Sequence, residues 1–343
     1  MERVTLKDIA KETGLSTATV SYVLNGKENV LEETKRKVRE AAEKLGYVTN
    51  YSARSLAMNT SNLIGVVIPQ TEPGSAMVFD NPFYSEILSS IEFHARRIGY
   101  HIIISGTDAD ERYYKLAKER NLDAIIIIGV YSDEFYSGLQ NAKIPIVLVD
   151  SYIDEKSFNC VRTNDEQGAY YMTKYLIEKG HKDIALITGK LKDGGVHEKR
   201  FEGYRKALNE ANIDFRPQFV LEGNTDFDSG IILADKLISR MQATAVFCTA
   251  DILALGVVKQ LIKLGVKIPE QMSVVGFDNL SIARYCSPSL TTVGQDIFEK
   301  GKQAVELVQY GLQNNNERTR EIILPTNIEE RESVCQRMLQ EEK

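Results

Sequence analysis

Residues 4–26 read VTLKDIAKETGLSTATVSYVLNG, and their spacing predicts two short helices joined by a tight turn. Thr5 stands where a helix N-cap belongs, with Asp8 three residues on, close to a capping box. Gly14 is a natural stop for the first helix because glycine adopts a positive φ at no steric cost, and Ser16 then caps the second. The apolar residues expected to face inward are Leu6, Ile9, Ala10, Val20, Val23 and Leu24. Such a pair is typical of a helix-turn-helix DNA reader, and a helical hairpin at the edge of an ordinary domain is the alternative.

The residues beyond this pair indicate a larger α/β protein. Glu32–Leu45 predicts a third amphipathic helix, which Gly46 ends. From Leu63 onward, apolar runs of strand length alternate with helical segments, a pattern that predicts parallel sheets covered by helices on both faces. The strand–helix units are more numerous than one sheet usually needs, so we expect two doubly wound subdomains.

Composition limits the class of protein. The chain has 343 residues and a net charge of −6, but its first 60 residues carry 10 Lys and Arg against 8 Asp and Glu, a weak local sign of phosphate contact. We see neither a membrane-length apolar run nor a signal peptide, so we expect a cytoplasmic protein. The four cysteines lack paired spacing, which indicates reduced thiols. We predict no metal, no cofactor and no catalytic residue.

The segment after the third helix completes a recognisable pattern. Residues 51–69 read YSARSLAMNTSNLIGVVIP. With the helices before it, this segment makes the chain resemble the lactose-repressor (LacI/GalR) family of bacterial transcription regulators, from Val4 to about Glu330. The resemblance implies an all-α helix-turn-helix headpiece followed by an α/β core of two doubly wound parallel-sheet subdomains, like that of periplasmic binding proteins. The implied boundaries are a headpiece at 1–49, a hinge helix and linker at 50–60, and an effector-binding and dimerisation core at 61–343, with an N-subdomain (61–162 and 293–324) and a C-subdomain (163–292 and 325–343).

The resemblance also assigns DNA-binding roles within the headpiece. The residues placed on or beside the helix that enters the major groove are Ser16, Thr17, Ala18, Ser21 and Tyr22. Thr17 and Ala18 are expected to face base edges, whereas Ser21, Thr5 and Asn25 are expected to hold phosphates. Tyr22 departs from the arginine usual in relatives, so we expect a different half-site; a ring packed on the headpiece surface is the alternative.

Residues 50–58, NYSARSLAM, resemble the family's hinge helix. About nine residues cannot hold a helix in water, so this segment is expected to become helical only when two copies meet in a minor groove. Leu56 matches the leucine that wedges between base pairs, Ala53 allows close approach, and Arg54 meets phosphate or the groove floor. A linker leucine packed on the core is the alternative for Leu56. Paired headpieces imply a near-palindromic DNA operator and a homodimer.

Polar residues at the ends of predicted strands indicate a ligand site, because sites in parallel sheets lie at the carboxyl ends of strands. A helix cap is the alternative for any one such aspartate. The resemblance assigns effector contacts to Phe83, Asp150, Arg200, Asp278 and Gln295, and we add Phe227 because Thr225 stands where many sugar binders have an aromatic residue. Carboxylates, a guanidinium and an aromatic face suit a polyol.

These features predict a repressor of carbohydrate-utilisation genes that a small sugar releases from its operator. A co-repressor mode, or dependence on a phosphocarrier protein, is the alternative within the family. A solute-binding protein and a sugar enzyme, with Asp150 and Asp278 as an acid/base pair, are the readings from other classes. The short polar C-terminus contains no leucine heptads, which favours a dimer over a tetramer.

Overall fold

A computed structural model describes most of the chain. The described residues are 4–24, 30–47, 60–69, 78–107, 120–130, 135–136, 139, 143–152, 158–240, 242–314 and 318–337. The chain divides into two compact units, residues 1–62 and residues 63–343, and each is described by itself.

The first unit contains three helices in its described part: α1 (Leu6–Thr13), α2 (Thr17–Leu24) and α3 (Glu32–Leu45). Their apolar stripes meet in one small core, where Ile9, Val20 and Val38 are fully buried. The predicted inward faces of α1 and α2 are thereby confirmed, with Leu6 and Leu24 partly buried at the margin. The helix-turn-helix geometry therefore follows from three amphipathic helices that bury their apolar faces against one another.

The ends of these helices explain where they start and stop. The Asp8 carboxylate accepts from the backbone N–H of Thr5 at 2.8 Å and from its hydroxyl at 2.7 Å, so the predicted N-terminal box forms. Gly14 ends α1 with φ 68° and Gly46 ends α3 with φ 66°, both in the left-handed region that favours glycine. Leu31 precedes α3 without any side-chain cap and is 80% exposed.

The second unit is built on two sheets. The first has the strand order β11-β5-β4-β3-β1-β2, with every neighbouring pair parallel. Its elements are β1 (Leu63–Pro69), α4 (Pro82–Arg97), β2 (His101–Thr107), β3 (Ala124–Ile128), β4 (Ile146–Val149), β5 (Asn159–Thr163), α9 (Ile297–Asn314) and β11 (Glu321–Leu324). The central strands β3 and β4 are buried throughout, as uninterrupted apolar runs predict.

The second sheet has the order β12-β10-β9-β8-β6-β7, in which β12 alone among the described strands runs antiparallel, against β10. Its elements are α5 (Asp165–Glu178), β6 (Ile184–Thr188), α6 (Val196–Glu210), β7 (Val220–Glu222), α7 (Phe227–Arg240), β8 (Ala245–Cys248), α8 (Asp251–Lys263), β9 (Ser273–Asp278), β10 (Thr291–Gln295) and β12 (Thr326–Glu329). The predicted fold class, a helical headpiece with two doubly wound parallel sheets, is confirmed.

The chain passes between the two sheets at three places. It leaves the first sheet after β5, returns to it through α9, and goes back from β11 to β12 across residues 324–326. Helix α9 packs closely against α4, since a Cβ at Gly301 would collide with the Ser90 side chain. These passages bring the carboxyl ends of β4, β9 and β10 close to one another. Within the described residues, no helix is long and apolar enough to cross a bilayer.

Candidate functional site

The headpiece presents one polar face along α2. Thr17 and Ala18 are exposed at its start, and the Tyr22 side chain is 48% exposed near its end. Ser16 caps the helix by accepting from the backbone N–H of Thr19 at 3.1 Å, and Ser21 is half-buried. Thr5 is exposed at the N-cap of α1. The remaining predicted DNA-binding residues, Asn25, Ala53, Arg54 and Leu56, lie outside the described residues.

The second unit holds a cavity of about 150 Å³ at the carboxyl ends of its strands. It is bounded by the start of α4, the ends of β3, β4 and β9, the loop after β6 and the start of α6. Four of the predicted ligand residues line it, namely Phe83, Asp150, Arg200 and Asp278. Asn81 at its edge caps α4 by accepting from the backbone N–H of Phe83 at 3.0 Å. The cavity therefore has an aromatic wall and a charged floor.

A chain of buried hydrogen bonds joins the two sheets beneath the cavity. Lys300 on α9 is fully buried, and its Nζ donates to Asp150 Oδ1 at 2.6 Å and to Gln295 Oε1. Gln295 Nε2 donates to Asp278 Oδ1 at 2.7 Å, and Thr163 donates to Gln295 Oε1 at 2.9 Å. Gln295 is therefore not among the described residues that line the cavity. It links Asp278 to Asp150 through Lys300, and both aspartates do line the cavity.

Arg200 extends this chain on the side of the second sheet. Its Nε donates to Asp165 Oδ1 at 2.7 Å, and its Nη1 donates to the Thr249 carbonyl at 2.5 Å and to Asp278 Oδ1 at 3.3 Å. The guanidinium carbon lies 3.6 Å from the centroid of the Phe277 ring, so the planar group is also stacked. These bonds fix the orientation of the Arg200 side chain before a ligand binds. The Nη2 atom takes part in none of these three bonds.

Burial perturbs the ionisation of the cavity residues. It raises the pKa of Asp278 to about 6, with the charge of Arg200 opposing the rise. Burial also raises the pKa of Asp150, against the attraction of Lys300. The pKa of Tyr84 rises to about 12 through burial and the two carboxylates, so its hydroxyl stays protonated. Near neutral pH the cavity floor therefore offers a charged acceptor beside protonated donors.

His197 is a cavity residue that sequence reasoning missed. Its Nδ1 lies 2.9 Å from Thr249 Oγ1 and its Nε2 lies 2.9 Å from Thr225 Oγ1. Burial, followed by the positive charges of Arg200 and Lys192, lowers its pKa to about 3, so the ring is neutral. The four histidines of the chain are dispersed along the sequence, so their spacing alone does not single out His197. The available signal was position: His197 lies three residues before Arg200, hence on the same face of α6.

Lys300 was missed as well, and Phe227 is placed differently from the prediction. A lysine inside the inward stripe that contains Ile297, Gly301 and Ala304 was the available signal for a buried cation. Phe227, the first residue of α7, packs against the apolar core of the second sheet. The described residues that line the cavity include Thr225 and do not include Phe227.

Comparisons with known proteins agree with this architecture. Residues 5–50 match the family model described as bacterial regulatory proteins, lacI family, and residues 173–334 match that of a periplasmic binding protein-like domain. The chain is 36% identical over 337 residues to the HTH-type transcriptional repressor PurR of Vibrio atlanticus (strain LGP32), covering 96% of this chain and 98% of that protein. This chain belongs to the LacI family.

Two further relatives extend the likeness of this LacI-family chain. The ribose operon repressor of Haemophilus influenzae is 32% identical over 336 residues, covering 96% of this chain and 98% of that protein. The structure of a LacI family transcriptional regulator from Enterococcus faecium with bound ribose superposes with a TM-score of 0.71 at 28% identity, covering 80% of this chain and all of that one. The chain is therefore a transcriptional repressor with a helix-turn-helix DNA-binding unit, and not an enzyme.

Proposed function

We propose that this LacI-family chain represses carbohydrate-utilisation genes and that a polyhydroxylated small molecule in the cavity controls its grip on operator DNA. The observation that carries the proposal is the pair of cavity carboxylates, Asp150 and Asp278. Lys300 donates to Oδ1 of Asp150, and Arg200 donates to Oδ1 of Asp278. The Oδ2 atom of each aspartate takes no part in these two bonds. Two prepositioned carboxylates and the protonated Tyr84 hydroxyl match the alternating donors and acceptors of adjacent hydroxyl groups.

A purine-type ligand is the competing effector class, because one relative carries the name PurR. A flat base is best held between two faces. Phe83 and Tyr84 lie on one side of the cavity, edge to face at 5.6 Å, whereas the loop opposite contributes Thr225. This one-sided aromatic wall favours a sugar ring over a flat base as the ligand. The ribose bound in the related Enterococcus faecium structure also favours a sugar.

A homodimer is part of the proposal. Phe93 and Phe298 are exposed, and their ring centroids are 5.7 Å apart where α4 meets α9. Ile282 and the 81% exposed Tyr285 lie on a short segment tied to α4, because the backbone N–H of Ser281 donates to Glu86 at 3.0 Å. An apolar patch of this kind on a polar surface supports a subunit interface. A twofold pair of headpieces would then read a near-palindromic operator in the major groove, with Thr17, Ala18 and Tyr22 toward the bases.

The effector can shift operator affinity only if it binds an open and a closed arrangement of the two sheets with unequal affinity. Gln295 and Lys300 lie on either side of the passage from β10 to α9, and they connect cavity residues of both sheets. A ligand that pulls Asp150 and Asp278 together therefore acts directly on this passage. We expect induction, in which ligand binding releases the operator.

The test is to select duplexes from a random pool with the full-length protein and then to titrate the complex with D-ribose, cellobiose, adenine and guanine. Fluorescence anisotropy is expected to show release by a sugar and no effect of either base. Tighter binding with a sugar would establish the co-repressor mode, whereas control by a purine alone would overturn the carbohydrate class. A protein that selects no palindromic sequence would overturn the DNA-reading part of the proposal. No ligand effect of any kind would favour dependence on a protein partner.

A further inference from the structure

We propose, resting on the proposed function of the cavity as an effector site, that Tyr152 clasps the two sheets of the core together and thereby sets the effector concentration that changes operator affinity. Tyr152 lies two residues beyond the cavity residue Asp150, on the segment that follows β4 of the first sheet. It is not among the described residues that line the cavity. It is therefore a positioning residue, which acts through its hydrogen-bond partners instead of touching the ligand.

The backbone of Tyr152 makes the first bond between the sheets. Its N–H donates to the carbonyl of Gly194 at 2.9 Å. Gly194 belongs to the loop between β6 and α6 of the second sheet, and the two residues that follow it, Gly195 and Val196, line the cavity. This bond therefore joins the edge of the cavity on the second-sheet side to the segment that carries Asp150.

The Tyr152 hydroxyl makes the second connection, at the passage of the chain from β5 to α5. Its single proton is shared between the Thr163 carbonyl at 2.6 Å and Asp165 Oδ2 at 2.7 Å, and its oxygen accepts from the backbone N–H of Asp165 at 3.1 Å. Burial, followed by the charge of Asp165, raises the pKa of Tyr152, so the hydroxyl stays protonated and remains a donor. Thr163 ends β5 and Asp165 begins α5, so one hydroxyl contacts both sides of this passage.

Asp165 extends this connection to the cavity. Its carboxylate is fully buried, and its other oxygen, Oδ1, accepts from Arg200 Nε at 2.7 Å. Arg200 in turn lines the cavity and donates to Asp278 Oδ1 at 3.3 Å. A hydroxyl that donates to a carboxylate makes a charge-assisted bond, which is roughly twice as strong as a neutral one. One carboxylate therefore separates the Tyr152 hydroxyl from the guanidinium in the cavity wall.

The bonds from Tyr152 to Gly194 and Asp165 favour one arrangement of the sheets. A turn of one sheet relative to the other must stretch both bonds, and a donor–acceptor distance beyond about 3.5 Å is no longer a hydrogen bond. Their free energy therefore stabilises the arrangement in which the cavity residues of both sheets lie together. The apparent affinity of a ligand falls with the fraction of molecules in the arrangement that binds it, so loosening the clasp raises the ligand concentration that is needed.

The experiment compares Tyr152→Phe with the unmodified full-length protein. Phenylalanine keeps the ring, whose centroid lies 4.4 Å from the guanidinium carbon of Arg162, and it removes only the hydroxyl. Each protein is bound to the selected operator and titrated with D-ribose and with cellobiose, and fluorescence anisotropy reports the bound fraction. For the sugar that acts on the unmodified protein, we expect the midpoint concentration to rise about tenfold. Operator affinity without sugar, and the full change at saturating sugar, should stay within about twofold.

Two further variants test how the hydroxyl acts. Tyr170→Phe is the matched control, because Tyr170 lies on α5, outside the described cavity lining, and its hydroxyl donates to Glu210 at the surface. Its sugar midpoint is expected to stay within about twofold of that of the unmodified protein. Asp165→Asn removes the charge that links Tyr152 to Arg200. Adding Tyr152→Phe to Asp165→Asn is expected to raise the midpoint by no more than about a further twofold, because two changes in one chain of hydrogen bonds do not add.

The outcomes separate the two proposals. A Tyr152→Phe protein with the midpoint of the unmodified one, or a Tyr170→Phe protein with an equal rise, would overturn the clasp and leave the proposed function intact. Loss of operator binding or of the response at saturating sugar in Tyr152→Phe would show a merely structural role and overturn it too. So would additive effects of Tyr152→Phe and Asp165→Asn. An unmodified protein whose operator complex responds to neither sugar would overturn the proposed carbohydrate effector itself, and the clasp with it.

Discussion

Replacing Lys300 with methionine is the most informative single change in the core. The side chain is fully buried, and its Nζ holds Asp150 at 2.6 Å and also Gln295. Methionine keeps most of the volume but leaves the buried Asp150 carboxylate without its counter-charge. Breaking a buried ion pair from one side typically costs about 3–5 kcal/mol, which is a large part of the stability of an ordinary domain.

The loss is expected to depend on pH. Burial already raises the pKa of Asp150, and Lys300 opposes that rise, so Lys300→Met must raise the pKa further. A carboxyl whose pKa is higher in the folded than in the unfolded state favours folding when it is protonated, and its destabilising effect grows as pH rises through the folded pKa. Urea unfolding is therefore expected to show the largest deficit at pH 8 and a smaller one at pH 5.

Two further variants serve as controls for this experiment. Lys302→Met removes a partly exposed lysine that is paired with Glu299, and it should change the free energy of unfolding by no more than about 1 kcal/mol. Asp150→Asn combined with Lys300→Met removes both charges and should recover much of the loss at pH 8. A Lys300→Met protein as stable at pH 8 as the unmodified one, or a double variant no better than the single, would refute the reasoning.

Three further predictions concern the headpiece and the cavity. Leu31→Ser supplies the missing cap of α3 and should raise the free energy of headpiece unfolding by about 1 kcal/mol in thermal scans, whereas Leu31→Ala should not. Tyr22→Ala should weaken binding to the selected operator about five- to tenfold in anisotropy titrations and leave urea unfolding of the core unchanged. Because the pKa of Asp278 is about 6, affinity for the tightest-binding polyol should fall as pH drops from 7.5 to 5, and calorimetry on Asp278→Asn should show this dependence abolished.

Local signals carried the prediction of the fold. The capping partners Thr5 and Asp8 and the glycines at 14 and 46 act over three or four residues, so the helix ends could be read directly from the sequence. The apolar runs of β3 and β4 predicted buried parallel strands for the same reason. The family resemblance then supplied the order of the subdomains, which periodicity alone does not determine.

The polar interior of the core was harder to predict because its partners are distant in the chain. Asp150 and Lys300 are 150 residues apart, and Thr163 and Gln295 are 132 apart. Residue type alone places lysine at the surface, so the buried Lys300 contradicts the ordinary expectation. His197 acquires its role only because Thr225 and Thr249 arrive from two other elements. Phe227 shows the converse, since an aromatic residue near the expected position packs into the core instead.

The order of the strands has a consequence for biosynthesis. The first sheet receives its edge strand β11, and the helix α9 that packs on α4, from residues 297–324, near the end of the chain. A ribosome must therefore translate as far as residue 324 before that sheet can close. Until then β5 is an open edge with unpaired backbone groups, ready to pair with another nascent chain. Truncated products of this gene should consequently aggregate or be degraded, instead of accumulating as half-active regulators.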